Sequence, residues 1–231
     1  VPWRAIAASV AIVLLAGAGW LWSGQQSLST QAGEQLLVEL PDGSTSLLNG
    51  LSTLAYNIRL WSWRRRVNLT GEAFFTVEKG AAFRVTTQQG TVEVLGTSFN
   101  VYDRPSGYEV HCQTGRVAVR TTAAPTPVVL SPLESVRYVD GSATQETYTP
   151  TTGPGWQEGV NRYTSSPLSR VITDLTAQFN LEFELEGVDV TQQYSGAFVH
   201  DDADTALEMV FAPLGITPTR NGRIVRLAVT N

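Results

Sequence analysis

Gly96-Thr97 is where the residue types of this chain could perform chemistry on the chain itself. A threonine hydroxyl can attack the carbonyl carbon of the residue before it. The peptide C–N bond then breaks as the acyl group moves from nitrogen to oxygen, and water hydrolyses the resulting ester. The products are a carboxylate on Gly96 and a free amine on Thr97. Glycine ahead of the threonine leaves that carbonyl accessible and tolerates strained backbone geometry. The step also needs a general base, and the flanking sequence offers none. The preferred reading is therefore a glycine bulge or corner between two strands.

The remaining reactive residues point away from catalysis. His111 and His200 are the two histidines and stand far apart; His111 lies beside Cys112 in a strand pattern, which suits a structural role better than a metal site or a catalytic pair. No G-x-S-x-G, H-E-x-x-H, phosphate-loop or dinucleotide pattern occurs, so neither a conventional enzyme nor a cofactor or metal is expected. Asp201, Asp202 and Asp204 stand where acidic residues complement the positive end of a helix. Glu182, Glu184 and Glu186 share one face of a strand, either as its wet side or as acid offered to a basic partner. The run WSWRRR (61–66) could meet anionic lipid headgroups; a loop kept soluble by arginines is the preferred alternative.

These residues sit in a chain of 231 with net charge −5. The length suits one or two domains with a sizeable core, and the acidic balance excludes a nucleic acid held by phosphate contacts. The single cysteine cannot form an internal disulfide. Residues 156–231 hold ten acidic residues against five arginines, so the C-terminal third carries the whole net charge. Residues 5–22 contain no charge, and eighteen apolar residues at ~1.5 Å each just span a hydrocarbon core of ~30 Å. Trp3, Trp20 and Trp22 fit an aromatic belt, and Arg4 places the N-terminus inside. A membrane anchor (1–24) is preferred over a cleaved signal peptide, although Ala16-Gly17-Ala18 resembles a cleavage site. The opening Val-Pro-Trp suggests a longer protein with residues upstream.

Residues 23–33 read as a polar tether. From 34 to about 139, alternating apolar and polar residues predict short strands at 36–40, 53–58, 67–69, 73–77, 83–86, 91–95, 98–102, 108–112, 116–120, 128–130 and 135–138. Gly, Pro-Asp-Gly and Thr-Gly breaks separate them. This implies an all-β sandwich, barrel or solenoid. The Thr/Pro/Gly-rich stretch 144–155 reads as a domain boundary. Beyond it, Ser166-Pro167 starts a helix with the stripe Leu168, Val171, Ile172, Leu175 and Phe179, stopped by Asn180. A shift of 35 positions superposes this unit on a second, with Ala203, Leu207, Val210 and Leu214 and a stop at Gly215. Strands are predicted at 160–164, 181–186, 194–199, 216–220 and 224–229, giving a small α+β domain of repeated β-α-β units.

The strings LPDGS (40–44), GEAFF (71–75), VLGTSFNV (94–101) and GRVAV (115–119) resemble the periplasmic FecR domain. SPLSRVITDL, YSGAF, ALEMVF and RIVRL in the C-terminal third resemble the short secretin/TonB N-terminal (STN-like) domain. The resemblance implies a membrane helix (1–24), a FecR-like all-β periplasmic domain (25–150), solenoid-like by family, and an STN-like domain (156–231). It further implies a single-span anti-sigma regulator of the bacterial inner membrane. Such a protein receives a signal from an outer-membrane TonB-dependent receptor. It acts on an extracytoplasmic-function (ECF) sigma factor through a cytoplasmic segment upstream of residue 1. Some FecR-type proteins cut themselves at a Gly-Thr bond in this motif. An envelope-assembly or secretin-associated structural protein is the alternative.

Overall fold

The computed structural model describes residues 23–121, 126–139, 142–149 and 153–229, together with Trp3 and Gly19. Apart from Gly19, the expected membrane span (5–22) lies outside the described residues, among which no helix is long and apolar enough to cross a membrane.

Thirteen strands form one connected sheet: β1 (Gln25–Ser29), β2 (Leu36–Glu39), β3 (Thr45–Leu48), β4 (Thr53–Asn57), β5 (Arg65–Thr76), β6 (Phe83–Thr86), β7 (Gly90–Val94), β8 (Ser98–Arg104), β9 (Gly107–Cys112), β10 (Val117–Thr121), β11 (Val128–Leu130), β12 (Glu134–Val139) and β13 (Ser142–Thr147). The sheet curls around its own core as a half-barrel, and β5 is the strand on which it turns. Its first half pairs with β4 and β6, and its second half with β3 and β8. Gly71 stands at the changeover with φ +96°. A Cβ there would fall 2.5 Å from Ser52 Oγ, so only glycine lets the two segments cross this closely. The strands expected at 67–69 and 73–77 are thus one, because Gly71 bends the strand without ending it.

Alternation drives the closure. Val67, Leu69, Ala73 and Phe75 of β5 point inward with Leu48, Leu54, Val85, Val92, Phe99 and Val101. Phe75 stacks on Phe99 at 5.2 Å between centroids, and Phe83 and Trp61 continue the aromatic chain. Three strands escaped the sequence pattern: β3, an alternating strand of only four residues directly after the Pro-Asp-Gly turn, and two edge strands. β1 lies in the expected tether and β13 at the start of the expected linker. Both are mostly exposed edge additions, so neither has a buried face to impose alternation.

The second core belongs to the C-terminal body. A 3-10 turn (Trp156–Glu158) leads into β14 (Val160–Pro167), α1 (Leu168–Phe179), β15 (Glu182–Glu186), β16 (Gln193–Val199), α2 (Ala203–Phe211), β17 (Ile216–Asn221) and β18 (Ile224–Val229). Leu168, Val171 and Leu175 of α1 meet Leu207, Val210 and Phe211 of α2 across Phe198, Val225 and Leu227. Asn180 and Gly215 end the two helical segments in left-handed conformation, at φ 57° and 66°. Pro213 accounts for the shorter α2, whose last turn tightens to a 3-10 turn over Ala212–Leu214.

Two expectations need correction. Ser166 does not cap α1: it is buried in β14 opposite Tyr194, and Pro167 takes the cap position with extended backbone. Nor do the strands of each repeated unit pair with one another. β14 pairs antiparallel with β16, while β15 pairs parallel with β18, which also carries β17. The repeat is visible in the helices and their stops, but the two units interleave their strands.

Candidate functional site

Gly96 sits between β7 and β8 at φ +150°, where a Cβ would approach Lys79 Cα to 2.9 Å. Thr97 is buried, and its hydroxyl donates to the Arg116 carbonyl at 3.2 Å. Gly115 closes over the same bond: a Cβ there would meet Thr97 Oγ1 at 2.7 Å and the Gly96 oxygen at 3.0 Å. A carbonyl accepts that hydrogen bond but is far too weak a base to remove the proton.

A denser polar site lies on the outer face of the curled sheet, where the C-terminal body covers it. Strand register aligns Glu72 with Tyr102, Tyr102 with Glu109, and Glu109 with Arg137, a row across β5, β8, β9 and β12. Glu72 is 2% exposed and Glu109 4%, depths at which a carboxylate needs several donors. Asn49 and Asn100 each donate an amide N–H to Glu72 at 2.8 Å. Asn100 in turn accepts the indole N–H of Trp156 at 3.1 Å. Glu109 accepts from Arg137 at 3.4 Å and from Arg170 of α1, and His111 Nε2 lies 3.2 Å from its carboxylate. Arg170 lies over the Tyr102 ring and 3.7 Å from Asp174, which takes the Tyr163 hydroxyl at 2.9 Å.

Backbone contacts fix the same seam. The Ala177 carbonyl near the end of α1 accepts from Gly33 N–H at 2.9 Å, and Gly50 presses against that oxygen so closely that a Cβ would stand 2.4 Å away. Arg104 donates to the Gly50 carbonyl at 2.6 Å, and Arg137 to the Ser165 carbonyl at 3.2 Å. A cavity of about 290 Å³ opens along the seam between Glu109, Arg137, Tyr148, Arg162 and Arg170.

Burial governs the protonation states here. It pushes His111 down to about 3, helped by the positive Arg137 and opposed by Glu146. Glu72 is raised, by burial first and then by Asp174, against the pull of Arg170 and Arg104. Burial also lifts the Cys112 thiol to about 11. A neutral imidazole and an inert thiol suit a structural seam.

The other sequence candidates are dispersed. His200 hydrogen-bonds Asn161 at 2.7 Å, far along the chain from the row that holds His111. Asp202 caps α2 by accepting from Thr205 N–H at 2.8 Å, and Asp204 pairs with Arg220. Glu182, Glu184 and Glu186 are matched by Arg223 and Arg226 from the neighbouring strand and turn. Trp61 is core, whereas Trp63 is 84% exposed; Arg65 is engaged by Asp42. Sequence reasoning missed Glu72, Tyr102, Glu109, Trp156, Arg170 and Asp174. The available signal was the pairing of aromatic and charged residues on the polar faces of NVYD and YEVH.

Residues 26–118 match the family model of FecR protein. That stretch runs from β1 into β10 and contains Glu72, Tyr102 and Glu109, but not their partners in the C-terminal body. Two crystal structures of a putative anti-sigma factor from Parabacteroides distasonis, at 2.50 and 1.65 Å resolution, align with TM-scores of 0.83 and 0.82. Each is 28% identical in sequence; the alignments cover 90% and 89% of this chain and 100% of theirs. No curated protein sequence matches the chain. The chain thus carries a FecR match over its first body and is similar to a putative anti-sigma factor over nine-tenths of its length.

Proposed function

We propose that this FecR-type chain is the periplasmic signalling region, with its membrane span at residues 5–22, of an inner-membrane anti-sigma regulator. The observation that carries the reading is the similarity to the Parabacteroides distasonis anti-sigma factor structures across nine-tenths of the chain. The FecR match within the first body supports it. In this reading the signalling domain of an outer-membrane TonB-dependent receptor docks on the STN-like C-terminal body. Strand addition is the favoured mode. In the sheet ordered β15-β18-β17, no strand among the described residues pairs with the outer edge of β15, whereas β17 carries Pro218, which lacks an N–H.

The junction then relays the event. Docking that tilts α1 must move Arg170 relative to Glu109 and Tyr102, and the span passes the change to a cytoplasmic segment holding an ECF sigma factor. Stepwise proteolysis in or near the membrane completes release. Gly96-Thr97 acts as a strand corner in this scheme, and the chain is a regulator and not an enzyme. The test is sigma-dependent transcription in the native host when the receptor's ligand is supplied. Deleting residues 156–231 should abolish the response to ligand; a response of unchanged size would contradict the reading.

A further inference from the structure

The end of the curled sheet at which the chain enters carries an aromatic and cationic surface. We infer that this surface rests on an anionic lipid bilayer, an inference that depends on residues 5–22 spanning the membrane as proposed above. The Gly24 carbonyl accepts the Ile58 N–H at 2.9 Å, and Gln25 stands opposite Asn57. Gly24 is two residues beyond the last apolar residue, Trp22, and two extended residues reach at most about 7 Å. The connection from β4 to β5 is thereby held at the membrane surface.

Register carries the same end across the neighbouring strands. Arg65 lies opposite Phe83 and Phe83 opposite Val94, while Gly80 N–H donates to the Leu95 carbonyl at 3.0 Å. Three large apolar side chains are exposed there: Trp63 at 84%, Leu95 at 64% and Ile58 at 51%. Trp61, two residues from Trp63, packs into the core against Tyr56 and Phe83 and pins the loop. Arg64, Arg66 and Lys79 are exposed and have no carboxylate partner among the described residues, whereas Arg65 is occupied by Asp42. Glu78 is the exposed acid beside Lys79. This local excess of cations contrasts with the net −5 of the whole chain.

One exposed apolar side chain would be ordinary, but Trp63, Leu95 and Ile58 gathered at one end with these cations form a patch that solubility alone does not call for. At a bilayer the combination has a purpose: indole rings settle at the headgroup level, and arginine and lysine are drawn to anionic lipid. Docking would fix the tilt of the β body on the membrane, so that a receptor meets the C-terminal body in one orientation.

The experiment uses the full chain with Ser62→Cys, labelled with an environment-sensitive fluorophore; Cys112 is fully buried and stays unlabelled. The chain is reconstituted in phosphatidylethanolamine–phosphatidylglycerol vesicles containing a headgroup nitroxide quencher, and a label at Glu186→Cys serves as the distal control. Flotation after a carbonate wash reports the anchor separately. The expected result is flotation with quenching at position 62 about threefold above position 186. That excess should be lost in Trp63→Ala/Arg64→Glu/Lys79→Glu and in phosphatidylcholine vesicles. A chain that floats but shows the same quenching at 62 in all of these conditions would overturn the docking while leaving the anchor intact. A chain that fails to float would overturn the anchor and the docking with it.

Discussion

The guanidinium carbon of Arg170 stands 3.9 Å from the centroid of the Tyr102 ring, so that one cation from a helix of the C-terminal body closes a polar row laid across four strands of the other body. Arg170 is charged, 12% exposed at its side chain, and shared among Tyr102, Glu109 and Asp174. Such a contact is stable only while all its partners are in place, and that makes it suited to sensing relative movement of the two bodies.

Arg170→Ala leaves Glu109 and Asp174 buried without their shared cation. Breaking a buried pair from one side costs about 3–5 kcal/mol, and Arg170→Lys should recover only part of it because an ammonium lacks the planar fork. Urea unfolding is expected to show a lowered midpoint and a separated transition for the C-terminal body. An unchanged single transition would show that the seam contributes nothing.

His111 makes stability depend on pH. Its native value is pushed to about 3 by burial, against ~6.5 in an unfolded chain. Between these values the unfolded chain binds a proton that the native protein refuses, so stability rises with pH across this window and is lost as pH falls below ~6.5. Glu72, whose native value is raised, works in the opposite sense, its contribution being lost as pH rises above its unfolded value. Melting temperatures from pH 7 to pH 4 should fall less steeply in His111→Gln than in the natural sequence. Parallel curves would remove the imidazole as the cause.

Gly71→Ala should destabilise the β body by about 1–3 kcal/mol. The added methyl group meets Ser52 Oγ at 2.5 Å and its Cα at 2.8 Å, at a φ of +96°. Thermal melting reads this directly. A variant as stable as the parent would mean that β5 can bend without a glycine.

Thr97→Ala tests the strand-corner role of Gly96-Thr97. Gel and intact-mass analysis of residues 25–231 should give one unbroken species with and without the substitution. Fragments that break between Gly96 and Thr97 in the natural sequence alone would replace the corner with a self-cleaving bond.

Much of the fold was legible because inward-facing residues of a curled sheet alternate, as Phe83-Val85 and Val92-Val94 do, and because Asn180 and Gly215 punctuate two amphipathic helices. The seam was not legible for the same reason. In β8 and β9 both faces are buried, yet Asn100, Tyr102, Glu109 and His111 occupy the alternate positions that normally meet water. Only the covering body shows that these polar residues are buried, and Arg170 sits on a helix whose apolar stripe explains its packing without reference to them. β1 and β13 stayed hidden because an exposed edge strand is held by backbone pairing, which leaves no pattern in side chains; β3 stayed hidden because four residues, TSLL, are too short for alternation to register.

The central claim is that the outer region of this chain receives a TonB-dependent receptor's signalling domain. Isothermal titration of the full chain in nanodiscs with the signalling domains of the receptors encoded in the same genome tests it most directly. The account predicts saturable binding by at least one domain, abolished by deletion of residues 156–231. Absence of binding by every domain, with the chain folded and inserted, would contradict it.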